Sequence, residues 1–306
     1  AQMLAISDTD YNLTSTSEIL QTSEKGDRLR SKENVEFIFG HAEGNVIHVR
    51  PDVVKQTLHG IGTSFTESSA FVLAHLNKEK RQEVMNRIYS EQGANFSLAR
   101  TVIGATDFSV EGKFSYDDVE DDKDLVHFSV AHDQDGFSKQ QYPGIKDTGF
   151  DLLPMIKQAL AIKKQQEDAD FKIIASAWTA PDWMKYIEAW YIPGSEENDF
   201  HGTGGVLKKG YEKHYANYLI MYLQHYKNQG VNIWSITPVN EPNGNNGQWE
   251  SMHFSAESQN DFIKHHLGPA LHQSNHADVK LLIYDHNRDD LEQWAQLLYN
   301  DDETSK

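Results

Sequence analysis

The chain has 306 residues, no cysteine, and 28 basic against 46 acidic side chains, a formal net charge of −18. That balance works against the counterion displacement on which nucleic-acid binding rests, and against an anionic membrane surface. Without cysteine there are no disulfides, thiolate nucleophiles or Cys-ligated metals, and no apolar run approaches the ~20 residues of a bilayer span.

The first residues, Ala1 to Thr16, show neither a basic n-region nor an apolar h-region. They read as a mature end after cleavage or as a cytosolic start. A secreted or periplasmic location is the expectation under the first alternative. Residues 1–56 alternate β-like pieces, Val35–Phe39 and Asn45–Val49, with polar turns such as Gly40-His41-Ala42-Glu43-Gly44. This segment is expected to form a few antiparallel strands outside the main body.

From residue 57 to 306 the pattern becomes strand, loop, helix, repeated. A glycine-punctuated strand is expected over Gln56–Ser64. Asn77 caps a helix through Lys78–Glu91, with Gly93 as its left-handed stop. Ala94–Ile103 is the second strand, and an Asp-rich loop from Asp117 to Asp124 leads to a helix over Leu152–Gln166. Lys172–Ala177 is the third strand, followed by a helix over Tyr211–Asn228 that Gly230 ends. Val231–Val239 and Val279–Asp285 are the fourth and fifth strands, separated by a mostly helical Ala256–His272, and Leu291–Tyr299 is the last helix. Alternation of this kind predicts an α/β fold with a parallel sheet and right-handed crossovers. No Gly-rich phosphate loop opens a helix, so the expected architecture is a (β/α)8 TIM barrel, of which five units can be counted.

In such a barrel the reactive groups stand at the C-terminal strand ends. Those ends carry Glu67, Asp107, Trp178, Asn240 with Glu241, and Asp285. Carboxylates, an amide and an indole suit a neutral polyhydroxylated ligand: the polar groups exchange hydrogen bonds with hydroxyls and the indole covers a sugar face. The strongest motif is Ile236-Thr237-Pro238-Val239-Asn240-Glu241-Pro242. A glutamate there can protonate a glycosidic oxygen while the asparagine binds the 2-hydroxyl. Taken alone, Asn-Glu-Pro is equally a polar turn.

Five spaced segments carry a resemblance. They are His59-Gly60-Ile61-Gly62-Thr63-Ser64-Phe65-Thr66-Glu67; Leu98-Ala99-Arg100 running into Thr106-Asp107-Phe108-Ser109; Ala175-Ser176-Ala177-Trp178-Thr179-Ala180-Pro181-Asp182-Trp183-Met184-Lys185; Val239-Asn240-Glu241-Pro242; and Ile283-Tyr284-Asp285-His286-Asn287-Arg288. In this order the sequence resembles glycoside hydrolase family 30, within it the glucosylceramidase and endo-β-1,6-glucanase branch. The resemblance implies a retaining β-glycosidase on a (β/α)8 barrel, with the N-terminal strands belonging to a β-sandwich side domain. It implies that Glu241 is the acid/base, that Asn240 is the 2-hydroxyl partner, and that Asp107 and Trp178 bind the sugar. Arg100 would lie beneath them as a purely structural ion pair with a carboxylate. No cofactor or metal is implied, and the substrate would be a β-linked glucan, a β-glucoside or glucosylceramide.

A retaining mechanism needs a second carboxylate as nucleophile, which the family places on the seventh strand. The chain is therefore expected to be truncated after the fifth strand, with the nucleophile outside these residues and the missing C-terminal part of the same protein as a partner. The competing expectation is a non-catalytic carbohydrate-binding fragment. A metal hydrolase, suggested by 15 histidines, lacks His-Glu-x-x-His, and His265, His266, His272 and His276 read as a solvated helix face. Asn12-Leu13-Thr14 and Asn95-Phe96-Ser97 match glycosylation acceptors but are given no weight. Trp183, Trp190, Tyr191 and Trp249 are expected in loops at the rim, where they could extend stacking along a polysaccharide.

Overall fold

The computed structural model describes residues 16–305 except 37–40, 42, 168–169, 193–203, 245–246 and 248. The chain divides into two compact units, Ala1–Thr57 and Leu58–Lys306.

In the N-terminal unit, β1 (Thr16–Gln21) pairs antiparallel with β2 (Arg30–Glu36), with a bulge between Ser17 and Ile19. Asp27 fixes the turn between them, accepting from Ser23 Oγ at 2.8 Å and Lys32 Nζ at 3.0 Å. The strands fall elsewhere than expected. Val35 lies in β2, the end of the Val35–Phe39 piece is outside the described residues, and Asn45–Val49 forms no strand. Ile47 is 81% and Val49 71% exposed, so their alternation buries nothing that would hold a strand. Asn12 also lies outside the described residues.

The larger unit is built on five parallel strands in sequential order: β3 (Gly62–Ser64), β4 (Leu98–Ile103), β5 (Lys172–Ala177), β6 (Ser235–Thr237) and β7 (Lys280–Leu281). Each next strand in the chain is the next in the sheet, the arrangement of five successive (β/α) barrel units. The strands are mostly shorter than expected. At Gly62 a Cβ would stand 1.5 Å from the Leu98 carbonyl oxygen, so the first β3–β4 pair forms only because a side chain is missing there.

Helices cover the sheet. α1 (Glu67–Ala74), not anticipated from the sequence, is capped by Thr66, whose Oγ1 accepts from the Ser69 N–H at 3.1 Å. α2 (Lys78–Tyr89) starts on Asn77 as expected, but Gly93 is no left-handed stop. A Cβ there would lie 2.2 Å from the Arg87 carbonyl oxygen, so this glycine answers a close approach. α3 (Leu152–Lys163) is capped by Asp151, and α4 (Glu212–Asn228) ends at Gly230 with φ +82°. Tyr215, Tyr218, Tyr222 and Tyr226 form the buried stripe of α4.

The expected Ala256–His272 helix is broken into α5 (Ala256–Phe262), a wide π turn over Ile263–Leu267, and α6 (Gly268–Gln273). Pro269, which has no N–H to return to His265, accompanies the widening. α7 (Leu291–Tyr299) ends the unit. Among the described residues no helix is long and apolar enough to cross a membrane.

Candidate active site

Three strand ends converge on Arg100. From the middle of β4 its Nη2 donates to Ser176 Oγ at 2.9 Å, Asn240 Oδ1 at 2.7 Å and Asp285 Oδ2 at 2.6 Å. Ser176 Oγ also donates to Asp285 Oδ2. The guanidinium lies 4.6 Å from the centre of the Trp178 ring, a cation–π contact. An arginine in a parallel strand must find charge and acceptors locally, because its desolvation is otherwise uncompensated. These partners come from β5, from the end of β6 and from the end of β7.

The polar strand ends are held by backbone pairing that continues past the regular strands. The Asn240 N–H donates to Ala177 O at 2.6 Å, and Asn240 bridges Asp285 in parallel. The Glu241 N–H donates to Asp285 O at 2.8 Å. Glu241 itself adopts φ +48°, a left-handed conformation that turns its side chain out of the strand alternation. A non-glycine residue held there is strained, and such strain gathers where chemistry is done. Burial raises its carboxyl above the ordinary glutamate range, Asp107 and Asp285 add to the rise, and His286 and Arg100 oppose it.

Asp107 lies on the loop after β4 and accepts from Trp178 Nε1 at 3.1 Å. Burial raises its carboxyl too, against the Trp178 hydrogen bond and the charge of Arg100. Trp178 is 3% exposed, so its ring is at once a packed wall and the donor that orients Asp107. The structure thus gathers Asp107, Trp178, Asn240 and Glu241 around one arginine. A hollow on the β3 side of this group is lined by Ser64, Thr66, Arg100, Phe108 and Trp178.

Other strand-end candidates take different places. Glu67 is the first residue of α1 and accepts from the Val110 N–H at 2.6 Å, bracing the loop that carries Asp107. Burial pushes its carboxyl up to about 7. Trp183 is no rim platform: it is buried, donates from Nε1 to the Asp117 carbonyl at 2.8 Å and packs edge-on against Tyr211. Trp190, Tyr191 and Trp249 are half-buried, with Lys113 Nζ 3.6 Å from the centre of the Tyr191 ring. His276 departs from the expected solvated face, because it is buried behind α6 while His265 and His272 stay exposed. Among the described residues no three His, Asp or Glu side chains could hold a metal ion.

Two contributions are invisible to sequence reasoning. Ser176, by pattern only a residue within a strand, shares both Arg100 and Asp285. Arg100 is more than the purely structural ion pair expected of it, since it also holds the amide of Asn240. The one signal in the sequence is a lone arginine within a strand otherwise apolar enough to be buried.

Comparison with known proteins gives a concordant picture. The description "Glycosyl hydrolase family 30 TIM-barrel domain" matches residues 58–306. The chain is 28% identical over 266 residues to the lysosomal acid glucosylceramidase of Mus musculus, covering 86% of this chain and 46% of that protein. It is 30% identical over 242 residues to the endo-1,6-beta-D-glucanase neg1 of Aspergillus fumigatus, covering 77% and 45%. The crystal structure of SrfJ from Salmonella typhimurium superposes with a TM-score of 0.76 at 24% identity, over 94% of this chain and 57% of that one. The chain spans about half the length of the curated relatives it matches.

Proposed function

The chain belongs to glycosyl hydrolase family 30, and from that membership we propose that it carries the acid/base half of a retaining β-glycosidase, acting on β-D-glucosidic bonds. Glu241 protonates the departing glycosidic oxygen and then takes a proton from the incoming water. The observation that carries this is the Asn240–Glu241 pair at the end of β6. One member is clamped by Arg100 and the other is turned out of the strand, with its carboxyl raised by burial. A carboxyl that burial shifts toward its protonated form suits a general acid.

Arg100 occupies Oδ1 of Asn240, which leaves the Nδ2 group as the donor to a sugar hydroxyl. Asp107, oriented by Trp178, accepts from further hydroxyls, and the indole edges the ring. The nucleophile is a second carboxylate supplied by residues outside this chain. Asp107 and Asp285 are both committed to hydrogen-bond partners, which supports that assignment.

A β-1,6-glucan is the proposed substrate. The fungal relative is named for that bond, and a chain with net charge −18 associates poorly with anionic lipid surfaces. The test incubates the full-length protein with β-1,6-glucan and with glucosylceramide and follows the anomer first released by NMR. Release of the β-anomer from the glucan is expected. An α-anomer would overturn the retaining assignment, and turnover of glucosylceramide alone would overturn the substrate.

A further inference from the structure

His286 stands beside the proposed acid and takes no part in the steps above. Its ring stacks on Tyr284, with centroids 5.7 Å apart and planes 17° from parallel, and Tyr284 packs in turn on Trp294 of α7. The Asn287 backbone N–H donates to His286 Nδ1 at 2.7 Å. That bond settles the tautomer. A nitrogen that accepts carries no proton, so the neutral imidazole bears its proton on Nε2.

Nε2 is shut off from solvent and has no hydrogen-bond partner among the described residues. A dry donor with nothing to donate to destabilises the fold unless something at the site accepts from it. The backbone register places Glu241 on the neighbouring strand end. Glu241 N–H is bonded to the carbonyl of Asp285, the residue before His286, so residues 241 and 286 leave the paired chains side by side. Of the charged groups around Glu241, Asp107 from the β4 loop and Asp285 beside it add to the rise of its carboxyl, while His286 and Arg100 oppose it. His286 itself stacks on Tyr284 and accepts from the Asn287 N–H.

We propose that His286 is a positioning residue for Glu241, its Nε2–H directed at the glutamate carboxylate and holding it in one orientation once the proton has been given up. No proton moves between the two. Glu241 gives its proton to the glycosidic oxygen and recovers one from water, and Nε2–H donates a hydrogen bond to the carboxylate in between. The inference rests on the acid/base assignment of Glu241 for its consequence in catalysis, and on the tautomer and the orphaned Nε2 for its geometry.

Two measurements on the full-length protein separate these layers. The first follows the His286 ring by ¹⁵N NMR through a pH titration, in the wild type and in Glu241→Gln. The Nε2–H tautomer is expected, with an Nε2 signal that moves in Glu241→Gln, because the facing carboxylate accepts from that proton. Because His286 opposes the rise of the Glu241 carboxyl, removing it is expected to leave that carboxyl higher. The second measurement is the kcat/KM pH profile of His286→Phe, which keeps the stack on Tyr284 and deletes the donor. Its basic limb, which reports the protonated acid, is expected to move to higher pH.

An Nδ1–H tautomer, or an Nε2 signal unmoved by Glu241→Gln, overturns the proposal whatever Glu241 does in catalysis. So does a His286→Phe profile lowered equally at every pH, the mark of a merely structural role. If the Nε2 signal responds to Glu241→Gln while that variant retains full activity, the contact between the residues stands and the acid/base assignment is what fails.

Discussion

Arg100 and Asp285 lie 185 residues apart in the chain and 2.6 Å apart in space. The same Nη2 reaches Asn240 and Ser176, so one guanidinium in the middle of β4 ties the ends of three further strands to a common point. Both partners are a little under one-third exposed. The pair therefore works at the edge of the interior, where charge is partly but not wholly screened.

Arg100→Lys withdraws the guanidinium plane from the Trp178 ring and gives a shorter side chain that cannot bring its charge to the three acceptors from the place Nη2 occupies. It is expected to lower kcat/KM by about 10²-fold, through Asn240 and Asp285 losing their orientation. Hydrogen bonds to a charged group are worth about 1.5–3 kcal/mol each, so Arg100→Met should also cost about 2 kcal/mol in urea unfolding. Unchanged kinetics in Arg100→Lys would show that Arg100 only balances charge.

Trp178→Phe keeps the packed ring and removes the Nε1 donor that orients Asp107. KM is expected to rise by about tenfold, the loss of roughly one hydrogen bond to a charged group, with kcat changed less. Fluorescence or calorimetric titration with a glucoside measures the same loss. A fall in kcat at constant KM would place Asp107 in the transition state rather than in ground-state binding.

Gly62→Ala drives a methyl group into the Leu98 carbonyl oxygen, 1.5 Å from where the Cβ must sit. The β3–β4 pairing has to part, and a loss of about 3 kcal/mol or more is expected, at the upper end of overpacking effects. Thermal unfolding measures it, and a wild-type midpoint would contradict the close β3–β4 approach at this position.

Gly62 also marks a limit on how much of the molecule the sequence discloses. The order of strands and helices, the caps at Asn77 and Gly230, and the placing of Asp107, Trp178, Asn240 and Glu241 at strand ends all follow from local pattern and backbone chemistry. Pairing across the fold does not. Nothing local marks Ser176 as the hydroxyl shared by Arg100 and Asp285, or Trp183 as buried against Tyr211. Strand lengths read from the sequence come out too long for a related reason. Hydrophobic runs continue past the point where neighbouring backbones can approach, and Gly62 and Gly93 serve close approaches that composition alone cannot separate from turns.

Behind the sheet, Asp133 is wholly buried and accepts from Tyr116 Oη and Tyr226 Oη, each at 2.6 Å. Burial outweighs both bonds and pushes its carboxyl up to about 7, from an ordinary value of 3.8. The folded state therefore keeps a proton that the unfolded chain sheds. The contribution to stability is full below about pH 4 and is lost as the pH climbs to about 7. Asp133→Asn, which retains an acceptor for the tyrosines and cannot ionise, should flatten the stability profile between those limits. Urea unfolding at a series of pH values checks it, and parallel profiles for the two proteins would mean that Asp133 is ionised in the fold.

The central claim is that Glu241 is the general acid, and a leaving-group series with Glu241→Gln in the full-length protein tests it most directly. Help from a general acid is worth about 10²–10⁴-fold, and only where the departing oxygen is basic. Loss in that range is expected on β-glucosides with alkyl or sugar leaving groups, with far smaller loss on activated phenols. Equal losses across the series would contradict the account and remove Glu241 from the acid role.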